Sequence, residues 1–131
     1  MSIHSNLKKI KNNINDKVTL VAVSKTKPLE DIKIAYDYGH KDFGENKVQE
    51  LVKKAQDRPN DINWHMIGHL QRNKVKDIIE FIHLIHSVDS LRLLDQINKE
   101  SIKKKLKTDI LIQVKISKDD SKYGFLINEL D

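Results

Sequence analysis

The sequence predicts a parallel α/β fold, because short apolar runs alternate with amphipathic segments along nearly the whole chain. Strands are expected near residues 18–23, 41–44, 63–67, 84–88 and 109–116, with a helical pattern between each pair. Such alternation is typical of right-handed βαβ crossovers and therefore of a parallel sheet. Neither GxGxxG nor GxxxxGK[ST] follows any of these runs, so the dinucleotide-binding and P-loop folds lack their signatures. A barrel or an open sheet without those loops remains.

The first helix is predicted from Ile3, Leu7, Ile10 and Ile14, whose spacing places them on one helical face. Residues 18–23 are then rich in β-branched and apolar side chains, which favours a short buried strand.

A second helix should follow, since Pro28 suits a first helical turn and Glu30 and Asp31 suit its positive end. Gly39 is expected to end this helix, and Ser90 is expected to cap a later one that runs towards Lys103–Lys105. The remaining helices are marked by apolar residues on one face: Val48, Leu51, Val52 and Ala55; Val75, Ile78 and Ile79; and Leu91, Leu94 and Ile97.

Length and composition favour one folded domain over residues 1–131. The chain has no cysteine, which excludes disulfides and thiolate metal sites. No apolar run resembles a signal peptide or a membrane span, so we expect a cytoplasmic protein that does not bind membranes.

The net charge of +5 is compatible with an anionic ligand, a nucleic acid, or only a solvated lysine-rich surface. The lysines are spread over the whole chain, and the aromatic residues are scattered instead of interleaved with them. Nucleic-acid binding is therefore the weaker interpretation, because stacking platforms need aromatic side chains among the basic ones.

Polar residues follow four of the predicted strands. In parallel α/β folds the ligand site lies at the carboxyl ends of the strands, where the connecting loops converge. The residues expected there are Ser24 and Lys25, Glu45 and Asn46, Gly68 and His69, and His86 and Ser87 with Asp89.

Lys25 is the most informative of these residues. A lysine at the top of an apolar strand can lose part of its hydration, which leaves more neutral amine to attack a carbonyl and form an imine. The alternative is a lysine whose stem packs against the strand while its ammonium group reaches water. The residue pattern alone leaves both interpretations open.

Five motifs in order carry a family resemblance: AVSKTKP, DFGENKVQE, WHMIGHLQRNK, IHSVDS and QVKIS…SKYGF. Together they resemble the N-terminal half of the pyridoxal-phosphate homeostasis protein family, the alanine-racemase-like proteins of fold type III. The match runs from Lys17 to Phe125. It implies about half of a TIM-type barrel, with pyridoxal 5'-phosphate (PLP) as cofactor at the carboxyl ends of the strands.

The resemblance places the PLP-binding lysine at Lys25, and it places Asn46 and His86 near the cofactor. The alternative roles are a turn or a helix cap for Asn46 and a hydrogen-bonded barrel residue for His86. Gly68 is expected to allow a close approach of two backbone segments at the barrel mouth. His65 and His69 are four residues apart, but a strand and a turn separate them, so structural roles are favoured and no metal site is predicted.

The sequence departs from the family pattern at Arg72 and Lys115, where serine and asparagine are common, and above all in length. The segments that hold the PLP phosphate in the family, Gly-Met-Ser and Arg-Ile-Gly, are absent from the 131 residues. Phosphate sites draw on backbone N–H groups at a helix N-terminus, so specific PLP binding by this chain is expected to be weak. The chain is expected to be truncated at its C-terminal side and to expose sheet edges through which it can self-associate.

The resemblance implies a PLP carrier that delivers the cofactor to apo-enzymes, not an enzyme with a catalytic residue of its own. A racemase needs a second acid–base group facing the lysine, and Tyr36, Tyr38 and Tyr123 do not stand at strand ends. The alternatives are a basic module that binds nucleic acid or protein, and an inactive fragment without the phosphate-binding half.

Overall fold

The computed structural model describes residues 2–116 and 124–130, apart from the side chain of Asn128. A five-stranded sheet, parallel throughout and in the order β1-β2-β3-β4-β5, confirms the predicted fold class. Its strands are β1 (Ala22–Val23), β2 (Asp42–Glu45), β3 (Asn63–Met66), β4 (Ile82–Val88) and β5 (Asp109–Ile112).

The helices alternate with these strands as the periodicity predicts. They are α1 (Ile3–Asn12), α2 (Leu29–Asp37), α3 (Val48–Gln56), α4 (Val75–Ile78), which a 3-10 turn at Arg72–Lys74 precedes, and α5 (Leu91–Lys103). The Ser90 hydroxyl accepts a hydrogen bond from the N–H of Leu93 and caps α5, as expected. Pro28 occupies the cap position of α2 and lies outside its first turn.

The first strand is much shorter than the predicted run of residues 18–23, since only Ala22 and Val23 pair with β2. The prediction of a buried strand is wrong here, because none of residues 18–23 is buried and Val18 and Val23 are more than half exposed. Strand pairing also needs a neighbour at the same height. Because Ala22 is already opposite Phe43, residues 18–20 extend beyond the start of β2 at Asp42.

The last predicted strand, 109–116, is interrupted at Gln113. Its first part is β5, and its second part, β6 (Val114–Lys115), pairs in parallel with β7 (Phe125–Leu126) as a separate small sheet. The N–H of Gln113 donates to the carbonyl of Val88 at 2.7 Å, which makes it the junction between the two sheets. A short 3-10 helix, Ile127–Leu130, follows β7.

The main sheet has a helix face and an open face. Sequential strands joined by right-handed crossovers place the connecting helices on one side, and the apolar core fills that helix face with Phe43, Trp64, Met66 and Ile85. The open face carries the alternate side chains, among them Val23, which is 53% exposed.

None of the helices in the described part of the chain is long and apolar enough to cross a membrane.

Candidate functional site

Lys25 lies immediately after β1 and is exposed. By the alternation of the strand, its side chain follows Val23 onto the open face of the sheet. Among the described residues, none forms a hydrogen bond or an ion pair with its Nζ atom. Of the two interpretations left open for Lys25, its exposure favours an ammonium group that reaches water, since β1 is an edge strand.

The three residues predicted to contact a cofactor lie at one level of the sheet. Val23 pairs with Gly44, so Lys25 follows β1 at the height at which Asn46 follows β2. Met66 pairs with both Glu45 and Ile85, which brings His86 in β4 to the same height. The sheet therefore aligns Lys25, Asn46 and His86 at its carboxyl edge, on neighbouring or nearby strands.

Gly68 packs directly against the backbone of Asn46, as the sequence predicts for a close approach. A Cβ atom added to Gly68 would lie 2.5 Å from the Asn46 carbonyl oxygen and 2.8 Å from its Cα. Such distances are far below van der Waals contact, so only glycine fits there without a shift of backbone.

His69 and Asp89 also meet at the carboxyl edge, after β3 and β4 respectively. The Nδ1 atom of His69 lies 3.1 Å from Asp89 Oδ2. The strand ends that the sequence singles out thus converge in space. Two of their polar side chains, those of His69 and Asp89, already contact each other.

Below this edge, a chain of hydrogen bonds joins Asp42, His65 and His86 on the open face. His65 Nε2 lies 2.9 Å from Asp42 Oδ1, and His65 Nδ1 lies 2.9 Å from His86 Nε2. Because a carboxylate oxygen only accepts, Nε2–H of His65 is the donor to Asp42. Burial lowers the pKa of His86, and the neighbouring His65 lowers it further.

The described partners of His65 are Asp42 and His86, whereas that of His69 is Asp89. Among the described residues, Asp42, His65 and His83 form a set of possible metal ligands. Their donor atoms lie within 4.8 Å of one another. Two imidazoles and a carboxylate suit zinc or iron, but the hydrogen bond between Asp42 and His65 already occupies two of these donors.

The sequence pattern missed a buried charged cluster behind β1, on the helix face, which we call the Lys54 cluster: Lys54, Glu45 and Glu50. Lys54 is 5% exposed and Glu45 is fully buried. Two signals point to it: a glutamate ends the buried strand DFGE, and Glu50 and Lys54 have the four-residue spacing of a helical ion pair.

The two carboxyl groups of this cluster differ in their tendency to ionise. Burial raises the pKa of Glu45, although the hydrogen bonds from Ser24 and Lys54 oppose that shift. Burial acts to raise the pKa of Glu50, but the N–H of Thr26, the Glu45 carboxyl group and Lys54 together outweigh it, so that the pKa of Glu50 is lowered.

The whole chain, residues 1–131, matches the family described as "Alanine racemase, N-terminal domain". The chain belongs to this family. Among its curated relatives is the pyridoxal phosphate homeostasis protein of Pasteurella multocida, 40% identical over 99% of this chain. A mouse protein of the same name is 41% identical over 84% of the chain. The resemblance inferred from the sequence motifs is confirmed.

Solved structures of the family agree with the fold. PipY of Synechococcus elongatus, in a structure with PLP bound, is 34% identical and matches 98% of this chain with a TM-score of 0.90. An alanine racemase of Clostridium difficile matches with a TM-score of 0.79 at 17% identity, which supports the fold alone. The five-stranded sheet therefore corresponds to the N-terminal part of an alanine-racemase-like TIM barrel.

The chain spans 61% of the length of the Pasteurella protein and 60% of PipY. Two sequence predictions lie outside the described residues, namely Tyr123 and the central part of the QVKIS…SKYGF motif.

Proposed function

We propose that this protein binds PLP through Lys25 and serves in intracellular PLP homeostasis, as a carrier and not as an enzyme. The observation that carries the proposal is the position of Lys25: an exposed amine without a described partner, at the carboxyl end of a parallel strand. This is the edge at which α/β barrels hold their ligands.

The residues present fit the aldehyde and the ring of PLP, but not its phosphate group. PLP would supply an aldehyde with which a lysine amine can condense with loss of water, and Lys25 is the exposed amine that would hold it on the open face. Asn46 and His86 stand at the same height and can contact the ring. The phosphate half has no such match in the family motifs of this sequence, which supports weak affinity for the 131-residue chain.

The described tyrosines support a carrier over a racemase. The Tyr36 hydroxyl donates to Asp61 at 2.6 Å, and the Tyr38 ring stacks on His4 with ring centroids 3.5 Å apart. Both tyrosines belong to the α2 side of the sheet, whereas a second acid–base group for a racemase must face the lysine across the cofactor.

The same proposal extends to partners and location. A carrier releases PLP to apo-enzymes by exchanging its lysine for another amine, which fits a cytoplasmic protein. Self-association through the open edges of β1 and β5 is part of the proposal, because each of these strands pairs with only one neighbour in the main sheet.

The test is borohydride reduction of the chain after incubation with PLP, followed by peptide mass mapping. Lys25→Ala is the specific control, and Lys27→Ala, a change of an exposed lysine in the same loop, is the matched one. A hybrid that continues this chain with the remaining part of the Pasteurella protein tests the contribution of those further residues to phosphate binding.

We expect the pyridoxyl label to concentrate at Lys25 in the hybrid and to be weaker, yet enriched at Lys25, in the 131-residue chain. Labels spread evenly over the lysines in both proteins would overturn the proposal. An unchanged label in Lys25→Ala would do the same.

A further inference from the structure

Lys54 is buried on the helix face of the sheet, directly behind the loop that carries Lys25. Its Nζ atom lies 2.7 Å from the Ser24 carbonyl oxygen, 2.9 Å from Glu45 Oε2 and 3.5 Å from Glu50 Oε2. A buried ammonium group is costly unless acceptors surround it. Here two carboxyl groups and one backbone carbonyl satisfy its three donors.

Ser24 is tied to the same cluster from the other side. Its hydroxyl donates to Glu45 in a short hydrogen bond, and its N–H donates to the Gly44 carbonyl at 2.9 Å. Ser24 is 4% exposed, so the residue before Lys25 is fixed within the protein while Lys25 itself is exposed.

Thr26, on the other side of Lys25, is held by the second acid of the cluster. Its N–H points between the two carboxylate oxygens of Glu50, at 3.1 and 3.0 Å. Thr26 has a φ of +62°, in the left-handed region that β-branched residues rarely adopt. The hydrogen bond to a charged acceptor offsets this unfavourable conformation.

The two contacts act on the two peptide groups that flank Lys25. The Ser24 carbonyl belongs to the peptide group before Lys25 and is held by Lys54, whereas the Thr26 N–H belongs to the one after it and is held by Glu50. We infer that Lys54 and Glu50 are positioning residues that direct the Lys25 side chain onto the open face for imine formation.

This inference rests on the proposed PLP function. It also explains why Lys25, and not the nearby Lys54, would react with the aldehyde. Lys54 lies close to Lys25 in the fold, but its amine is enclosed and hydrogen-bonded, so it cannot react with an aldehyde. The cluster thus keeps one amine inside while it presents the other. The fixed loop also reduces the conformational entropy that Lys25 loses when the imine forms.

The test uses Glu50→Ala, because the Glu50 side chain is 28% exposed and its truncation leaves the Lys54–Glu45 pair intact. Glu50→Gln restores a neutral acceptor for the Thr26 N–H. Lys53→Ala, a change of an exposed residue on the same helix, is the matched control. Two readouts are taken: hydrogen exchange of the Thr26 amide without PLP, and the fraction of borohydride-trapped label at Lys25 with PLP.

In Glu50→Ala we expect the Thr26 amide to exchange about 10-fold faster and the share of label at Lys25 to fall several-fold, on the order expected for a lost charge-assisted hydrogen bond. Glu50→Gln should recover part of both, and Lys53→Ala should change neither. The inference is wrong if Glu50→Ala folds, exchanges Thr26 faster and still labels Lys25 as the wild type does.

Unchanged Thr26 exchange in Glu50→Ala would equally overturn it. Failure of the proposed function gives a different result, since the wild-type protein would then show no preference for Lys25 at all. Lys54→Met is a second variant, whose unfolding temperature by circular dichroism shows whether it remains folded. If it does, the same loss of label at Lys25 is expected, and a wild-type labelling pattern would contradict the inference.

Discussion

The Nδ1 atom of His65 lies 2.9 Å from the Nε2 atom of His86, which joins β3 to β4 through their side chains on the open face of the sheet. His65 is 2% exposed and is also hydrogen-bonded to Asp42. Two neighbouring imidazoles in a partly buried site disfavour a second positive charge. The titration of His86 is therefore coupled to the stability of the fold.

We expect His86 to titrate below the ordinary histidine value of 6.5, because burial and His65 both lower its pKa. The unfolded chain then takes up the proton first, so the stability present above pH 6.5 is lost as the pH falls through 6.5 towards the lowered pKa. Burial lowers the pKa of His40 as well, and that shift acts in the same direction.

The measurement is an NMR titration of the His86 ring protons, together with urea unfolding at about pH 7.5 and about pH 5.5. The free energy of unfolding should decrease less between these values in His86→Asn than in the wild-type protein. An NMR pKa above 6.5 for His86 would contradict the expectation.

Asp42→Ala should reduce the free energy of unfolding by about 1–3 kcal/mol, because it leaves the buried Nε2–H of His65 without an acceptor. Asp42→Asn should lose less, since its amide oxygen can accept the same hydrogen bond. Urea unfolding at neutral pH measures both variants. Asp95→Ala, at an exposed position of α5, is the control and should be nearly neutral; equal effects of Asp42→Ala and Asp95→Ala would sink the prediction.

Gly68→Ala should destabilise the carboxyl edge, because the new Cβ would lie 2.5 Å from the Asn46 carbonyl oxygen. Backbone must shift to relieve the contact, at a cost of about 1–3 kcal/mol. Gly39→Ala serves for comparison: nothing lies within 4 Å of its added Cβ, and its φ of +91° is the only obstacle. Thermal unfolding and the Asn46 amide chemical shift report the change, and an unmoved Asn46 signal in Gly68→Ala would be the contrary result.

Self-association should depend on the exposed apolar edge of β5, where Leu111 is 49% exposed. Leu111→Lys places a charge at this edge and should lower the apparent molar mass of the protein at high concentration. Ile34→Lys, at a 41% exposed position on α2, should leave the mass unchanged. Light scattering over a concentration series measures both, and a monomeric wild-type protein throughout would exclude association through this edge.

The strand ends that carry Lys25, Asn46 and His86 could be predicted because burial imposes a pattern on each strand and parallel strands end at a common edge. The exposure of Lys25 could not, because it depends on which elements cover the open face. The burial of Lys54 could not be predicted either, although its spacing from Glu50 is typical of a helical ion pair. On an amphipathic helix a lysine normally belongs to the solvated face, and only the approach of Ser24 and Glu45 in space encloses it.

The hydrogen bonds of His65 illustrate the same limit. Asp42, His65 and His86 come from three strands, so their sequence spacing carries no information about their contact. Regular pairing continued from Trp64 and Ile82 would place His86 on the face opposite His65. The irregular pairing between Trp64 and His65 shifts β4 by one residue, which brings His86 onto the open face beside His65. An irregularity of this kind cannot be predicted from apolar periodicity.

Each strand of the main sheet pairs only with strands next to it in the sequence. Native contacts therefore close loops of one strand–helix unit at a time, which is the shortest closure that a parallel pairing allows. During synthesis, β1, β2 and α3 leave the ribosome before β4 and β5 do. The supports of the Lys25 loop, which lie in β2 and α3, can thus assemble first, while the growing sheet is still extending one strand at a time.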